Sequence, residues 1–194
     1  MKQLALAMHN YHDAHGRLPP AVVYGEHGQP LYSWRVLLLP HIEQQDLYKQ
    51  FHLDEPWDSP HNLPLLERMP GTYAPPPGKK SRMPAYHTVC HVFVGKGTPF
   101  EEKKGVKFNE ECFPDGTSNT ILIVEAGLPV PWAKPEDIPY DAEDPLPRLD
   151  PLFRDGFRIA LADGSVRFLS RKIGETSLRA AITRNGGETL ENDW

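Results

Sequence analysis

The stretch Phe157-Arg158-Ile159-Ala160-Leu161-Ala162-Asp163-Gly164-Ser165-Val166-Arg167-Phe168 alternates apolar and polar positions around an Asp-Gly pair. That pattern predicts a β-hairpin closed by a two-residue type I′ turn. With Asp163 and Gly164 as the loop, Leu161 lies opposite Val166 and Ile159 opposite Phe168, so the apolar partners share one face. A hairpin with one apolar face needs a layer to cover it. Upstream, Val89 to Val94 and Ile121 to Val124 are β-rich runs, the second punctuated by Asp115-Gly116 and Gly127, and both read as strands of the same sheet.

The covering layer is sought at the other end of the chain. Leu4, Met8, Tyr11 and His15 recur at helical spacing, and the pattern stops at Gly16 and Pro19-Pro20. No Ser, Thr, Asp or Asn cap precedes Leu4, which leads to the expectation of a truncated helix over residues 1–16. Ser33 is placed to cap Trp34-Arg35-Val36-Leu37-Leu38-Leu39. Pro40 interrupts that segment, and Ile42, Leu47, Tyr48 and Phe51 resume a helical spacing. A short helix is expected between His61 and Met69, and another from Ser177 to Ile182, closed by Asn185-Gly186-Gly187. Residues 129–151 combine many prolines with Glu136, Asp137, Asp141, Glu143, Asp144 and Asp150, and read as an extended acidic surface loop. The fold class expected is α+β: one domain over residues 1–194, an N-terminal helix on a small antiparallel sheet, with proline-rich connections.

Composition narrows the function classes. The 15 Gly and 21 Pro in 194 residues lie below the level of a disordered chain but favour short elements over long bundles. A net charge of −5 lacks the basic field that grips phosphate backbones, so nucleic acid is not an expected partner. Val36-Leu37-Leu38-Leu39 and Ile121-Leu122-Ile123-Val124 are the longest apolar runs, far short of the ~20 residues a membrane helix needs. Cys90 and Cys112 fit neither a four-thiolate zinc site nor a CxxC redox pair, which leaves a single disulfide or two buried thiols.

Several constellations have the residue types of chemistry. His9, His12 and Asp13 sit at i, i+3 and i+4 on the first helix, a spacing able to converge on a metal, although a solvated helix face looks the same. His87 and His91 share one face of a strand while Cys90 points away. Ser118, in Asp115-Gly116-Thr117-Ser118-Asn119-Thr120, lacks a Gly-x-Ser-x-Gly elbow, and a polar turn bonding its own backbone accounts for the run. Asp54, Glu55 and Asp58 around Trp57 have the makings of a carboxylate pair or of an acidic loop with one aromatic anchor. Gly95-Lys96-Gly97-Thr98 lacks phosphate-loop spacing. No cofactor is expected. Trp34, Trp57, Asp58, His61, Trp132 and Tyr140 form the expected ligand or partner surface, since aromatic faces beside carboxylates suit sugars.

As a set, several segments resemble domain-of-unknown-function family 1559, a paralogous family of planctomycete bacteria also labelled an extracellular solute-binding family. They are residues 6–20 (Leu6-Ala7-Met8-His9-Asn10-Tyr11-His12-Asp13-Ala14-His15-Gly16-Arg17-Leu18-Pro19-Pro20), Ser33 to Pro40, Asp54 to Asn62, Asp115 to Thr120 and Ala162-Asp163-Gly164-Ser165-Val166. Trp132 to Asp141 and Ile182 to Glu188 extend the likeness. Many members begin with a prepilin-type segment. The resemblance therefore implies a pilin-like or pseudopilin-like fold, reached by the membrane only through a missing N-terminal segment. It also implies a periplasmic or cell-surface location, and pilin-like or envelope partners. Two departures stand out: Phe153 replaces a histidine common in the family, and Tyr73-Ala74-Pro75 lacks the usual cysteine. The leading expectation is a non-enzymatic structural or interaction domain. A glycan- or solute-binding module is the alternative, and a metal-dependent hydrolase built on His9/His12 or His87/His91 the third reading.

Overall fold

The computed structural model describes residues 1–75, 83–101, 105–150, 154–188, 190 and 194. Helix α1 (Lys2–His15) has no side-chain cap at its start. It ends on Gly16 at φ 73, whose N–H donates to the His12 carbonyl at 2.6 Å. Only glycine enters that left-handed conformation without a Cβ penalty, which is why the helix stops there. Leu4, Ala5, Ala7, Met8 and Tyr11 form its buried stripe, as the spacing predicts. His15 is exposed and stacks on Tyr11 with centroids 4.0 Å apart.

Strands β1 (Val22–Tyr24) and β2 (Pro30–Ser33) form a small antiparallel ribbon. Ser33 then caps α2 (Trp34–Leu37), its hydroxyl accepting from the Arg35 N–H. A 3-10 turn over Leu39–Ile42 and the short α3 (Gln45–Tyr48) follow, and a second 3-10 segment spans Leu63–Arg68. Pro40 at the first turn of its helix fits there, because that N–H has no intrahelical partner to lose.

The main sheet is antiparallel, in the order β3 (His87–His91), β5 (Ile121–Pro131), β7 (Gly156–Leu161), β8 (Val166–Ser170). Strands β4 (Phe93–Val94) and β6 (Ile138–Pro139) pair in parallel beside it. The sheet is covered on both faces. Ala160 and Ala162 lie in the cluster of Leu4, Met8 and Trp34, and their small side chains let α1 approach β7. Phe157, Ile159 and Leu161 point the other way, into a cluster with Leu178, Ala181 and Ile182 of α4 (Glu175–Ile182). A register shift between Ile121 and Ile123 puts both Leu122 and Ile123 on the α1 side and returns Val124 to the α4 side.

The hairpin is one residue out of the expected register. Ala160 pairs with Val166, Ile159 with Arg167 and Arg158 with Phe168. Leu161 N–H donates to the Ser165 carbonyl and Gly164 N–H to the Leu161 carbonyl, both at 2.9 Å, while Gly164 sits at φ 80. This is a three-residue loop, a type I turn followed by a left-handed glycine bulge, rather than a two-residue type I′ turn. The Asp163 carboxylate accepts the Ser165 N–H at 2.8 Å and steadies that choice. The slip turns Phe168 outward, 52% exposed, and Leu169 inward, 4% exposed.

The acidic segment is likewise not a surface loop throughout. Strand β5 runs on to Pro131, and Trp132, Ala133, Ile138 and Tyr140 are buried. Phe153 lies outside the described residues.

Candidate functional site

Two polar centres are built from the sequence motifs. The first lies where α1 meets the turns. Asp163 N–H donates to the Thr117 carbonyl at 3.0 Å and Ala162 N–H to the Thr120 carbonyl at 2.9 Å. These bonds bring the Asp115–Thr120 run against the β7–β8 turn. Within that run, Asn119 Nδ2 donates to the Asp115 carbonyl and the Thr120 hydroxyl to the Gly116 carbonyl, while the Asp115 carboxylate accepts the Gly187 N–H. Ser118 is exposed. The run is a self-bonded polar turn.

Helix α1 closes the third side. Lys2 Nζ donates to the Gly164 carbonyl at 2.8 Å. The His9 ring stacks on Phe108 with centroids 4.5 Å apart and 12° between planes. His12 Nε2 accepts the Phe108 N–H at 3.1 Å, which requires a ring proton on Nδ1 rather than Nε2. A pocket of about 340 Å³ opens between these parts, lined among others by His9, Phe108, Phe113, Thr117 and Asp163. The Asp163 carboxyl is held below its ordinary range. Burial opposes this, and the Ser165 N–H with the charges of Arg167 and Lys2 outweighs it.

The second centre is buried. Arg35 donates from Nη2 to Asp137 Oδ1 at 2.7 Å, and from Nε and Nη2 to the Cys90 carbonyl at 2.9 and 2.6 Å. Asp137 also accepts the Val92 N–H at 3.0 Å and the Trp34 indole N–H at 3.2 Å. His91 Nδ1 lies 3.5 Å from Asp137 Oδ1, and its Nε2 is 2.9 Å from the Leu128 carbonyl. The guanidinium sits 4.7 Å from the Trp34 ring centroid. Here α2, β3 and the segment after β5 are bound to one carboxylate, whose acceptor capacity these donors take up.

Residues expected to share one surface are dispersed. Trp34 and Trp132 are fully buried and Tyr140 nearly so, a correction to their assignment as surface aromatics. Both indoles spend their N–H on internal acceptors, Trp34 on Asp137 and Trp132 on the Leu66 carbonyl at 3.2 Å. Trp57 is half-buried against the core, and its backbone N–H donates to the Leu31 carbonyl at 2.7 Å. Asp58 and His61 are exposed beside it. Buried Asn62 organises this loop, accepting the His52 N–H and donating to the carbonyls of His52 and Pro56. His52 and His61 stack at 3.4 Å.

The metal candidates do not converge. Asp13 points to solvent, 81% exposed, while His9 and His12 turn toward Phe108. His91 is buried with Arg35, and His87 lies near the Ala85 carbonyl. Among the described residues no group of three or more His, Cys, Asp or Glu is placed to hold a metal ion. Cys90 and Cys112 are both free thiols rather than a disulfide. Burial pushes the Cys90 thiol up to about 11, with the Glu125 carboxylate adding to the effect.

Residues 1–91 match the family model described as "Protein of unknown function (DUF1559)". The DUF1559 match covers α1 through β3, and so contains His9, Arg35 and His91, whereas Asp115, Asp137 and Asp163 lie beyond it. Neither the curated proteins nor the solved structures yield a match to the chain. Among the described residues no helix is long and apolar enough to cross a membrane.

Sequence reasoning missed Arg35, Asp137 and Asn62 as organising residues. An arginine inside the otherwise apolar run Trp34–Leu39 was the available signal, since a buried guanidinium requires a carboxylate somewhere in the chain.

Proposed function

We propose that this chain is a non-enzymatic structural or interaction domain with a pilin-like layout, working outside the cytoplasm against envelope or other pilin-like proteins. The observation that carries the reading is α1: an N-terminal helix whose buried stripe of Leu4, Ala5, Met8 and Tyr11 lies on a four-stranded antiparallel sheet over Ala160 and Ala162. The motif residues support it. Asp115, Asn119, Asp163 and Gly164 fix turns, and Arg35 with Asp137 fixes the core, so their roles are accounted for by architecture. Exposed Leu6 on α1 and Leu128, with Val166 and Phe168 on edge strand β8, offer apolar contacts to a partner.

Fractionation of cells producing the full-length reading frame tests this, combined with cross-linking through a photoreactive residue at position 6. The expected result is recovery in the envelope or extracellular fraction, with cross-links to envelope proteins. Recovery in the cytosol without cross-links, or substrate turnover abolished by Asp163→Asn, overturns it.

A further inference from the structure

We propose that Asn185, in the loop after α4, is a site of spontaneous deamidation, and that the reaction opens the clasp between this loop and the Asp115–Thr120 turn. The inference needs no assumption about where the chain works or what it contacts.

The sequence supplies the chemistry. Asn185-Gly186 is the chain's single Asn-Gly pair, and Gly187 follows it. In the reaction the backbone nitrogen of Gly186 attacks Asn185 Cγ. The N–Cγ bond forms, the Cγ–Nδ2 bond breaks, and the amide leaves as ammonia, carrying off the proton that the Gly186 N–H gives up. A five-membered succinimide remains. Water then adds to one of its two carbonyls: opening at Cγ gives aspartate, and opening at the backbone carbon gives isoaspartate. Glycine favours the first step, because no Cβ obstructs its nitrogen and its backbone reaches conformations that other residues avoid.

The structure leaves both reacting groups available. Asn185, Gly186 and Gly187 are all exposed. Among the described residues the Gly186 N–H donates to no acceptor, and the Asn185 amide makes no hydrogen bond. Asn185 Oδ1 leans on Gly97, where an added Cβ would come within 3.2 Å of it. The other described asparagines are held. Asn10 lies inside α1, whose backbone bonds occupy the Tyr11 N–H. Asn62 binds the N–H and the carbonyl of His52, Asn109 accepts the Cys112 N–H at 2.9 Å, and Asn119 donates to the Asp115 carbonyl at 2.8 Å. Those three must break a bond to turn Cγ toward the next nitrogen. All four precede a residue with a Cβ: Tyr11, Leu63, Glu110 and Thr120.

The consequence follows from how the loop is tied. The Asp115 N–H donates to the Arg184 carbonyl at 3.3 Å, and the Gly187 N–H returns to the Asp115 carboxylate at 3.2 Å. These two bonds straddle Asn185 and Gly186. Isoaspartate inserts a methylene into the backbone between them, so the spacing that serves both bonds at once is lost. Aspartate keeps the backbone but adds a carboxylate to a loop that already carries those of Asp115 and Glu188. Arg184 does not offset it, because its guanidinium is committed to the Cys112 carbonyl at 2.8 Å and to Glu101 at 3.0 Å.

The test ages the purified full chain in warm, mildly alkaline buffer, with a cold, mildly acidic control, followed by peptide mapping. Replacement of NH₂ by OH marks deamidated peptides by mass, and electron-transfer fragmentation separates isoaspartate from aspartate. Conversion at Asn185 is expected to run about tenfold or more faster than at Asn10, Asn62, Asn109 or Asn119, and to give both products. Gly186→Ala, whose Cβ meets the movable carboxylate end of Glu188, is expected to slow conversion by about tenfold. Asn185→Gln is expected to abolish it. Aged parent protein is expected to melt below fresh protein, while aged Asn185→Gln keeps its fresh value. Conversion at Asn185 no faster than at the other asparagines, aspartate formed without isoaspartate, or an unchanged rate in Gly186→Ala overturns the site. Equal melting temperatures for fresh and fully converted parent overturn the opening of the clasp. If Gly186→Ala does not fold, the comparison with the other asparagines and the product ratio still decide.

Discussion

Arg35 and Asp137 stand 102 residues apart in sequence, yet their side chains meet at 2.7 Å with exposures of 0% and 1%. Desolvating two charges is expensive, and the pair persists because the carboxylate also accepts from Val92 and Trp34 while the guanidinium donates to the Cys90 carbonyl. Its structural consequence is that α2, β3 and the segment after β5 cannot separate without stranding a charge.

Removing one partner is therefore worse than removing both. Asp137→Ala leaves Arg35 buried and uncompensated and is expected to lower unfolding free energy by about 3–5 kcal/mol. Arg35→Met combined with Asp137→Ala removes both charges and is expected to be less destabilised than Asp137→Ala alone. Urea denaturation of the single and double variants measures this. A double variant as unstable as the sum of the single changes would remove the charge pair as the reason.

The hairpin register makes opposite predictions for adjacent residues. Leu169 packs with Leu178 and Ile182 behind the sheet, so Leu169→Ala is expected to cost about 2–5 kcal/mol. Phe168 is 52% exposed, and Phe168→Ser is expected to change stability by less than about 1 kcal/mol. Thermal denaturation of the two variants decides, because a hairpin paired one residue over would reverse the ranking.

Helix α1, the Ser33 cap, the breaks at Pro40 and Gly16 and the existence of the main-sheet strands were legible because each depends on neighbours in the chain, whereas the short β1, β2 and β6 were not. The hairpin was half legible. Asp-Gly marks the turn, but whether it closes as two residues or three depends on Asp163 reaching the Ser165 N–H and on which face α4 covers. The buried Arg35–Asp137 pair was not legible, since a carboxylate in a proline-rich acidic run looks like its solvated neighbours until β5 extends to Pro131 and folds it inward. Trp34 and Trp132 were misplaced for the same reason. An indole reads as a surface aromatic among polar residues, and only tertiary structure supplies the carboxylate and carbonyl that let it go inside.

The two thiols are expected to differ in reactivity. Cys112 is partly exposed, whereas Cys90 is buried in β3 and its thiol is pushed up to about 11. Near pH 8, a maleimide or an aromatic disulfide reagent is expected to modify Cys112 in the native protein and Cys90 only after denaturant is added. Mass spectrometry of native and denatured samples reads the sites. Two reactive thiols in the native state would contradict the burial of Cys90, and none in either state would indicate a disulfide.

Acid sensitivity is expected from His41. The residue lies in the 3-10 turn Leu39–Ile42 against α1, with its ring 6.1 Å from His15 and edge-on to Tyr11 at 5.6 Å. Burial first, and the neighbouring His15 second, hold its pKa below the ordinary 6.5. A histidine depressed in the folded state binds more protons when unfolded over the interval between the two values. Stability is therefore retained above the unfolded value and falls as pH drops from about 6.5 toward the folded value. Melting temperature is expected to decline over that interval. His41→Gln is expected to flatten the decline without shifting the plateau above pH 7, and the His41 ring resonance should titrate below that of an unfolded reference peptide. A variant with the same slope as the parent would show that the acid sensitivity originates elsewhere, and His15→Gln is expected to raise the His41 value toward 6.5.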